Sequence, residues 1–299
     1  MPPPVATQPL ITPDELATLA SSTPHGLRVV DVRWYLGKPG AGRMAYDVGH
    51  IPDALFLDLD VHLTGADGPG RHPLPSAVDF RSSLERAGIG SAHQVVAYDD
   101  VGGWVAARLW WMLDNLGHQR VSVLDGGYPA WVADGRPVTQ VVPTYPAANL
   151  DLADDWTNTI DRDGLIDVLG DVVLLDARGA PRYLGEIEPI DPMPGHIPTA
   201  INAPTDANLG PDGRLLDPAA LAARFRAMRA DSSAGSVVTS CGSGVSACFN
   251  SLAMRVAGLP DPILYPGSYS DWSRAGLPVA VGHEPGEVPA ALQPRSTAR

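Results

Sequence analysis

The 299-residue sequence predicts an α/β fold built twice over: two tandem domains, each a small parallel sheet flanked by helices on both faces. Short β-branched runs alternate with helical spacing along most of the chain, which is the pattern of βαβ units. The same landmarks recur in the same order in both halves. At roughly 100–200 residues per domain, the length has room for two cores.

The repeat sets the order of elements. Leu27–Arg33 reads LRVVDVR and Val172–Arg178 reads VVLLDAR, so each half opens on a buried-looking strand ending in Asp-x-Arg. Gly49-His50-Ile51-Pro52 returns as Gly195-His196-Ile197-Pro198, and Gln94–Asp99 (QVVAYD) as Ser236–Cys241 (SVVTSC). Trp131 followed by Gly135-Arg136-Pro137-Val138 is matched by Trp272 followed by Gly276-Leu277-Pro278-Val279. Residues 9–140 and 156–282 are the expected domains. The Pro-, Ala- and Asp-containing stretch 141–155 between them reads as a linker, and 283–299 reads as a frayed tail.

Local signals place the helices. Thr12 with Glu15 forms a capping box for an early helix. Val105, Leu109, Met112, Leu113 and Leu116 follow helical spacing up to Gly117, and Val245, Cys248, Phe249, Leu252 and Val256 repeat the pattern up to Gly258 and Pro260. Trp104, Trp110 and Trp111 belong to this packing pattern.

Composition narrows the function. Hydrophobic residues make up 44% of the chain, enough for packed cores, and the net charge of −13 repels phosphate backbones, so no nucleic-acid partner is expected. The sole lysine, Lys38, sits in Gly37-Lys38-Pro39-Gly40, which is not a phosphate-binding P-loop. The N-terminal residues lack a signal-peptide pattern, and no run approaches the ~18 apolar residues of a membrane span. The expectation is a cytoplasmic protein without membrane contact, whose two cysteines stay reduced. The eight histidines show no metal-ligand spacing, so no metal and no cofactor are expected.

The copies diverge at one strand end. The first half continues Asp99-Asp100-Val101-Gly102-Gly103, the second Cys241-Gly242-Ser243-Gly244-Val245-Ser246. Cys241 thus follows a strand and precedes a helix, at the carboxyl edge where open parallel sheets bind ligands. Two glycines within three residues allow the backbone to curl into an anion nest ahead of a helix N-terminus. Such N–H donors stabilise a thiolate and can hold an anionic substrate. Cys248, two turns into the helix on its apolar face, reads as core filler. His50 and His196 occur in both halves although only one carries the cysteine, so both read as turn-stabilising.

These motifs resemble the two-domain sulfurtransferases of the rhodanese superfamily. The similarity spans about residues 9–282: two copies, Asp-x-Arg and GHIP in each, and the CGSGVS loop only in the second. It implies two rhodanese-like domains, the first catalytically silent because Asp99 replaces the cysteine. It also implies transfer of a sulfane sulfur from thiosulfate or 3-mercaptopyruvate, through a Cys241 persulfide, to cyanide or a thiol acceptor such as thioredoxin. The alternative is a persulfide carrier loaded by a protein donor. The loop pattern is that of the mercaptopyruvate enzymes except for Ser246 in place of Thr, so Gly242, Gly244, Val245 and Ser246 are expected around the substrate. Arg182 matches the first of two carboxylate-gripping arginines, while Ile190 stands where the second is expected. Ser243, His72 and Asp60 match a serine–histidine–aspartate relay on the inter-domain side of the first domain.

Overall fold

The chain is described by a computed structural model over residues 7–231 and 236–293. By internal contacts it divides into two units. The first comprises Met1–Asp67, Leu74–Thr157 and Leu209–Leu216, and the second Gly68–Pro73, Asn158–Asn208 and Asp217–Arg299. Each half by sequence therefore cedes a short segment to the other unit. Arg71 and His72 belong with the second unit, not with the first domain as their sequence position suggested.

In the first unit the order is β1 (Leu10–Ile11), α1 (Pro13–Ser22), β2 (Leu27–Asp31), α2 (Ala41–Val48), β3 (Leu55–Phe56), α3 (Leu59–His62), α4 (Ala77–Arg86), β4 (Gln94–Tyr98), α5 (Ala106–Asn115), β5 (Val121–Leu124) and α6 (Gly127–Ala133). The strands form one sheet in the order β1-β5-β4-β2-β3, with every pairing parallel. The inner strand β2 is buried along its whole length, as a parallel strand covered on both faces must be. The Thr12–Glu15 capping box opens α1.

The second unit repeats the plan with α7 (Arg162–Val168), β6 (Val173–Asp176), α8 (Ala180–Leu184), β7 (Ile201–Asn202), α9 (Pro218–Ala227), β8 (Val237–Ser240), α10 (Ala247–Val256), β9 (Ile263–Leu264) and α11 (Ser268–Arg274). Its sheet runs β7-β6-β8-β9, again all parallel. Leu174, Val238, Tyr183, Tyr265, Tyr269 and Trp272 anchor its core.

The repeated motifs prove to be fold devices. Asp31 accepts from Nε and Nη2 of Arg33 at 2.9 and 2.6 Å, and Nη2 also reaches Gly49 O at 2.7 Å. Asp176, Arg178 and Gly195 repeat this bonding, with Arg178 Nη2 2.7 Å from both partners. Each pair is buried and ties a strand end to the GHIP turn; deleting one member of such a pair costs about 3–5 kcal/mol. His50 and His196 stack on Tyr46 and Tyr183 at centroid distances of 3.8 and 3.7 Å, and each Nδ1 meets the carbonyl of that tyrosine.

Residues 141–155, the expected linker, carry no helix or strand; within them Leu150 and Leu152 are buried and Tyr145 stacks under Arg28. One expectation is corrected. In the expected tail, Ala290–Leu292 forms a 3₁₀ turn, and Val288 and Leu292 pack on the second core, because two apolar side chains there gain by burial. Residues 294–299 of that tail lie outside the described residues.

Candidate active site

β8 ends at Ser240 and α10 begins at Ala247, so Cys241–Ser246 forms a loop at the carboxyl edge of a central strand. Cys241 is 2% exposed, and its Sγ accepts from Gly244 N at 3.1 Å. Gly244 has φ +78°, and a β-carbon there would sit 2.3 Å from Pro266 O, so only glycine fits. The N-terminal part of α11 clamps the loop from outside. Cys241 N donates to Ser268 Oγ at 3.1 Å, Tyr269 N to Cys241 O at 3.0 Å, and Ser270 N to Gly242 O at 2.9 Å. Ser268 itself sits at φ +52°, a strained conformation for a residue with a side chain, held beside the cysteine by these contacts.

The equivalent loop of the first unit shows what this backbone curl binds. Asp99, fully buried, stands where Cys241 stands in the second. Its carboxylate accepts from Val101, Gly103, Val105 and Ala106 N at 2.8–3.0 Å. Burial pushes the Asp99 carboxyl above its ordinary value, and the four N–H donors limit that rise. The strand–loop–helix turn is therefore a cradle of amide donors, and in the first unit the chain fills it with its own acceptor, Asp99.

Ser243 Oγ lies 2.7 Å from His72 Nδ1, with both residues buried in the second unit. Asp60, the expected third member, lies on α3 of the first unit, where it accepts from Trp34 Nε1 at 2.9 Å. Val245 is buried, and Ser246 precedes α10 without a side-chain capping bond. Cys248 falls in the first turn of α10 rather than two turns in, because the loop uses six residues before the helix starts. Its thiol is buried and directed at Gly244 O, 3.4 Å away.

Arg182, on α8, is mostly buried. Glu188 binds it through Nη2 at 2.8 and 2.9 Å and through Nε at 3.1 Å, and Asp191 Oδ2 reaches Nη2 at 3.1 Å. Burial alone would push Glu188 up, but the Arg182 hydrogen bonds and the N–H groups of Asp191 and Ile190 outweigh it and hold the carboxyl below its ordinary value. A depressed carboxyl stabilises the fold above its unfolded value and loses that contribution as pH falls through the native one. The melting temperature of wild type should therefore exceed that of Glu188→Gln by a constant margin above about pH 4.3 and lose the margin below it. A margin that persisted into strong acid would contradict this.

Sequence reasoning passed over Glu188, Asp191, Ser268 and above all Arg71. Arg71 pairs with Asp191 and also approaches Gly242. Its only sequence signal is its place beside His72.

Comparison with known proteins fits this geometry. The Rhodanese-like domain family model matches residues 12–134 and 161–275. The chain belongs to the rhodanese family. A Pseudomonas aeruginosa relative named "Probable 3-mercaptopyruvate sulfurtransferase" is 41% identical over 91% of this chain and 98% of its own. A Mycobacterium tuberculosis relative named "Putative thiosulfate sulfurtransferase" is 40% identical over 89% and 94%. The solved 3-mercaptopyruvate sulfurtransferase from Leishmania major superposes with a TM-score of 0.78 at 30% identity, over 89% of this chain and 74% of its own. This rhodanese-family member is a sulfurtransferase. Among the described residues no helix is long and apolar enough to cross a membrane.

Proposed function

We propose that Cys241 carries the sulfur in transit. The observation behind this reading is its Sγ, seated against Gly244 N in a glycine loop between β8 and α10. Its thiolate attacks the outer sulfur of thiosulfate, the S–S bond breaks, and sulfite leaves with the bonding pair. With 3-mercaptopyruvate the C–S bond breaks instead, and the proton of the donor's thiol ends on the methyl carbon of pyruvate. Either route leaves a Cys241 persulfide anion, whose terminal sulfur the loop amides stabilise as an oxyanion hole stabilises oxygen. Cyanide or a thiol such as reduced thioredoxin then takes the outer sulfur and restores the thiolate. A reducing cytoplasm suits this cycle.

Ser243, polarised through His72 Nδ1, donates to the donor's carbonyl or leaving oxygen as charge develops there. Asp60 holds its place in the relay by resemblance alone. Arg182 grips the donor's carboxylate or sulfonate through Nη1, which has no partner among the described residues. Residues 156–282 supply the working domain, apart from Leu209–Leu216 and together with the Gly68–Pro73 segment that carries His72. Residues 9–140 carry no sulfur, since a carboxylate at Asp99 cannot form a persulfide.

Side-by-side kcat/KM values for the two donors with cyanide as acceptor test this reading and rank the donors. Arg182→Ala should lower kcat/KM for the donor about 10- to 100-fold, the worth of a charge-assisted hydrogen bond, and leave the cyanide half-reaction nearly intact. An equal loss in both half-reactions would remove Arg182 from the donor site.

A further inference from the structure

Arg71 and Arg182 converge on one point of the cysteine loop. A β-carbon on Gly242 would lie 2.9 Å from Arg71 Nη2 and 3.3 Å from Arg182 Nη1, so both guanidinium groups crowd the residue that follows Cys241. Two like charges this close repel unless an anion stands between them. Asp191, its side chain fully buried, supplies one: Oδ1 pairs with Arg71 Nη1 and Oδ2 with Arg182 Nη2. Arg71 is held further by its own N–H, which donates to Ser270 Oγ at 3.1 Å.

The donors left over define the site. Glu188 and Asp191 occupy Nε and Nη2 of Arg182 and leave Nη1 without a protein partner among the described residues. Asp191 is the only described side chain bonded to Arg71's guanidinium, through Nη1, and Arg71 Nε is buried without a hydrogen-bond partner among the described residues. Arg71 Nη2 and Arg182 Nη1, on two forks joined by one carboxylate, face the nucleophile's neighbour and match an anion with several oxygens. A neutral sulfur donor would leave them unpaired.

We infer that Arg71 is the second anion-binding residue of the donor site, closing with Arg182 on the carboxylate of 3-mercaptopyruvate or the sulfonate oxygens of thiosulfate. It does from the 68–73 segment what an arginine at position 190 was expected to do, where the chain has Ile190. Asp191 is the positioning residue that sets the spacing of the two forks. The inference rests on the Cys241 reading above.

The test is the ping-pong kinetics of Arg71→Gln in the full-length chain, with each half-reaction measured separately. Gln retains a hydrogen bond to Asp191 and loses the charge. The expected result is a fall of about tenfold or more in kcat/KM for the donor, with kcat/KM for cyanide within about twofold of wild type. The donor that loses more identifies the anion the pair is built for. A donor kcat/KM that stays within about twofold, in an enzyme whose wild type transfers sulfur, overturns the role of Arg71. A wild type that never forms a persulfide overturns the Cys241 reading instead. Should Arg71→Gln fail to fold, Arg71→Lys decides through inhibition by sulfite and pyruvate. Several-fold weaker inhibition supports the fork, and unchanged inhibition overturns it.

Discussion

Cys241→Ser is expected to reduce sulfur transfer from either donor to the uncatalysed background while the chain keeps its fold. A serine hydroxyl fits the same space and accepts the same Gly244 N–H, so the loop has no reason to rearrange. What is lost is the chemistry: at neutral pH the hydroxyl is un-ionised, and with no base assigned to it no displacement at sulfur begins. Cys248→Ser is the control. Cys248 is as buried as Cys241, but it sits in the first turn of α10 and bonds only weakly to Gly244 O, so its removal should leave turnover close to wild type. Steady-state transfer to cyanide checks both variants, with circular dichroism for the fold. Turnover that survived in Cys241→Ser and vanished in Cys248→Ser would reverse the assignment.

Asp99→Ala should produce a large loss of stability and little loss of chemistry. Its carboxylate is the acceptor for four N–H groups, three buried and one half-buried, and an unpaired buried donor costs about 1–3 kcal/mol. Some relaxation or entry of water offsets part of that, which leaves about 3–5 kcal/mol lost from the first unit. Asp99→Asn should fall between the two, since its amide supplies one acceptor oxygen where the carboxylate supplies two. Urea unfolding followed by tryptophan fluorescence reports the first unit, which holds Trp34, Trp104, Trp110, Trp111, Trp131 and Trp156. A variant as stable as wild type would mean that the cradle does not need an acceptor. The equivalent loop around Cys241 would then have no need of an anion either.

Much of this was legible in the sequence because repetition separates structure from chemistry. Asp31–Arg33 and Asp176–Arg178, with His50 and His196, occur twice and prove to be the ties that hold strand ends to turns. Cys241 occurs once, at a position whose partner is Asp99, and both lie at the carboxyl edge of a central strand. The Arg71–Asp191–Arg182 cluster was not legible. Arg71 and Asp191 lie far apart in sequence, in segments without periodicity, and nothing local shows that Gly68–Pro73 folds with the second unit. Gly242 read as a glycine of the anion nest near the substrate; that its missing side chain also makes room for two guanidinium groups has no sequence signal. The start of α10 was misplaced for a related reason: Val245 fits the helical period, but Gly244 at φ +78° keeps the chain in the loop until Ala247.

The most direct measurement is intact-protein and peptide mass spectrometry after incubation with thiosulfate or 3-mercaptopyruvate in the absence of an acceptor. One additional sulfur atom on the peptide containing Cys241, removed by cyanide and absent from Cys241→Ser, is the predicted result. A peptide that stays unmodified under conditions where sulfite or pyruvate accumulates, or a sulfur found only on Cys248, would contradict the account.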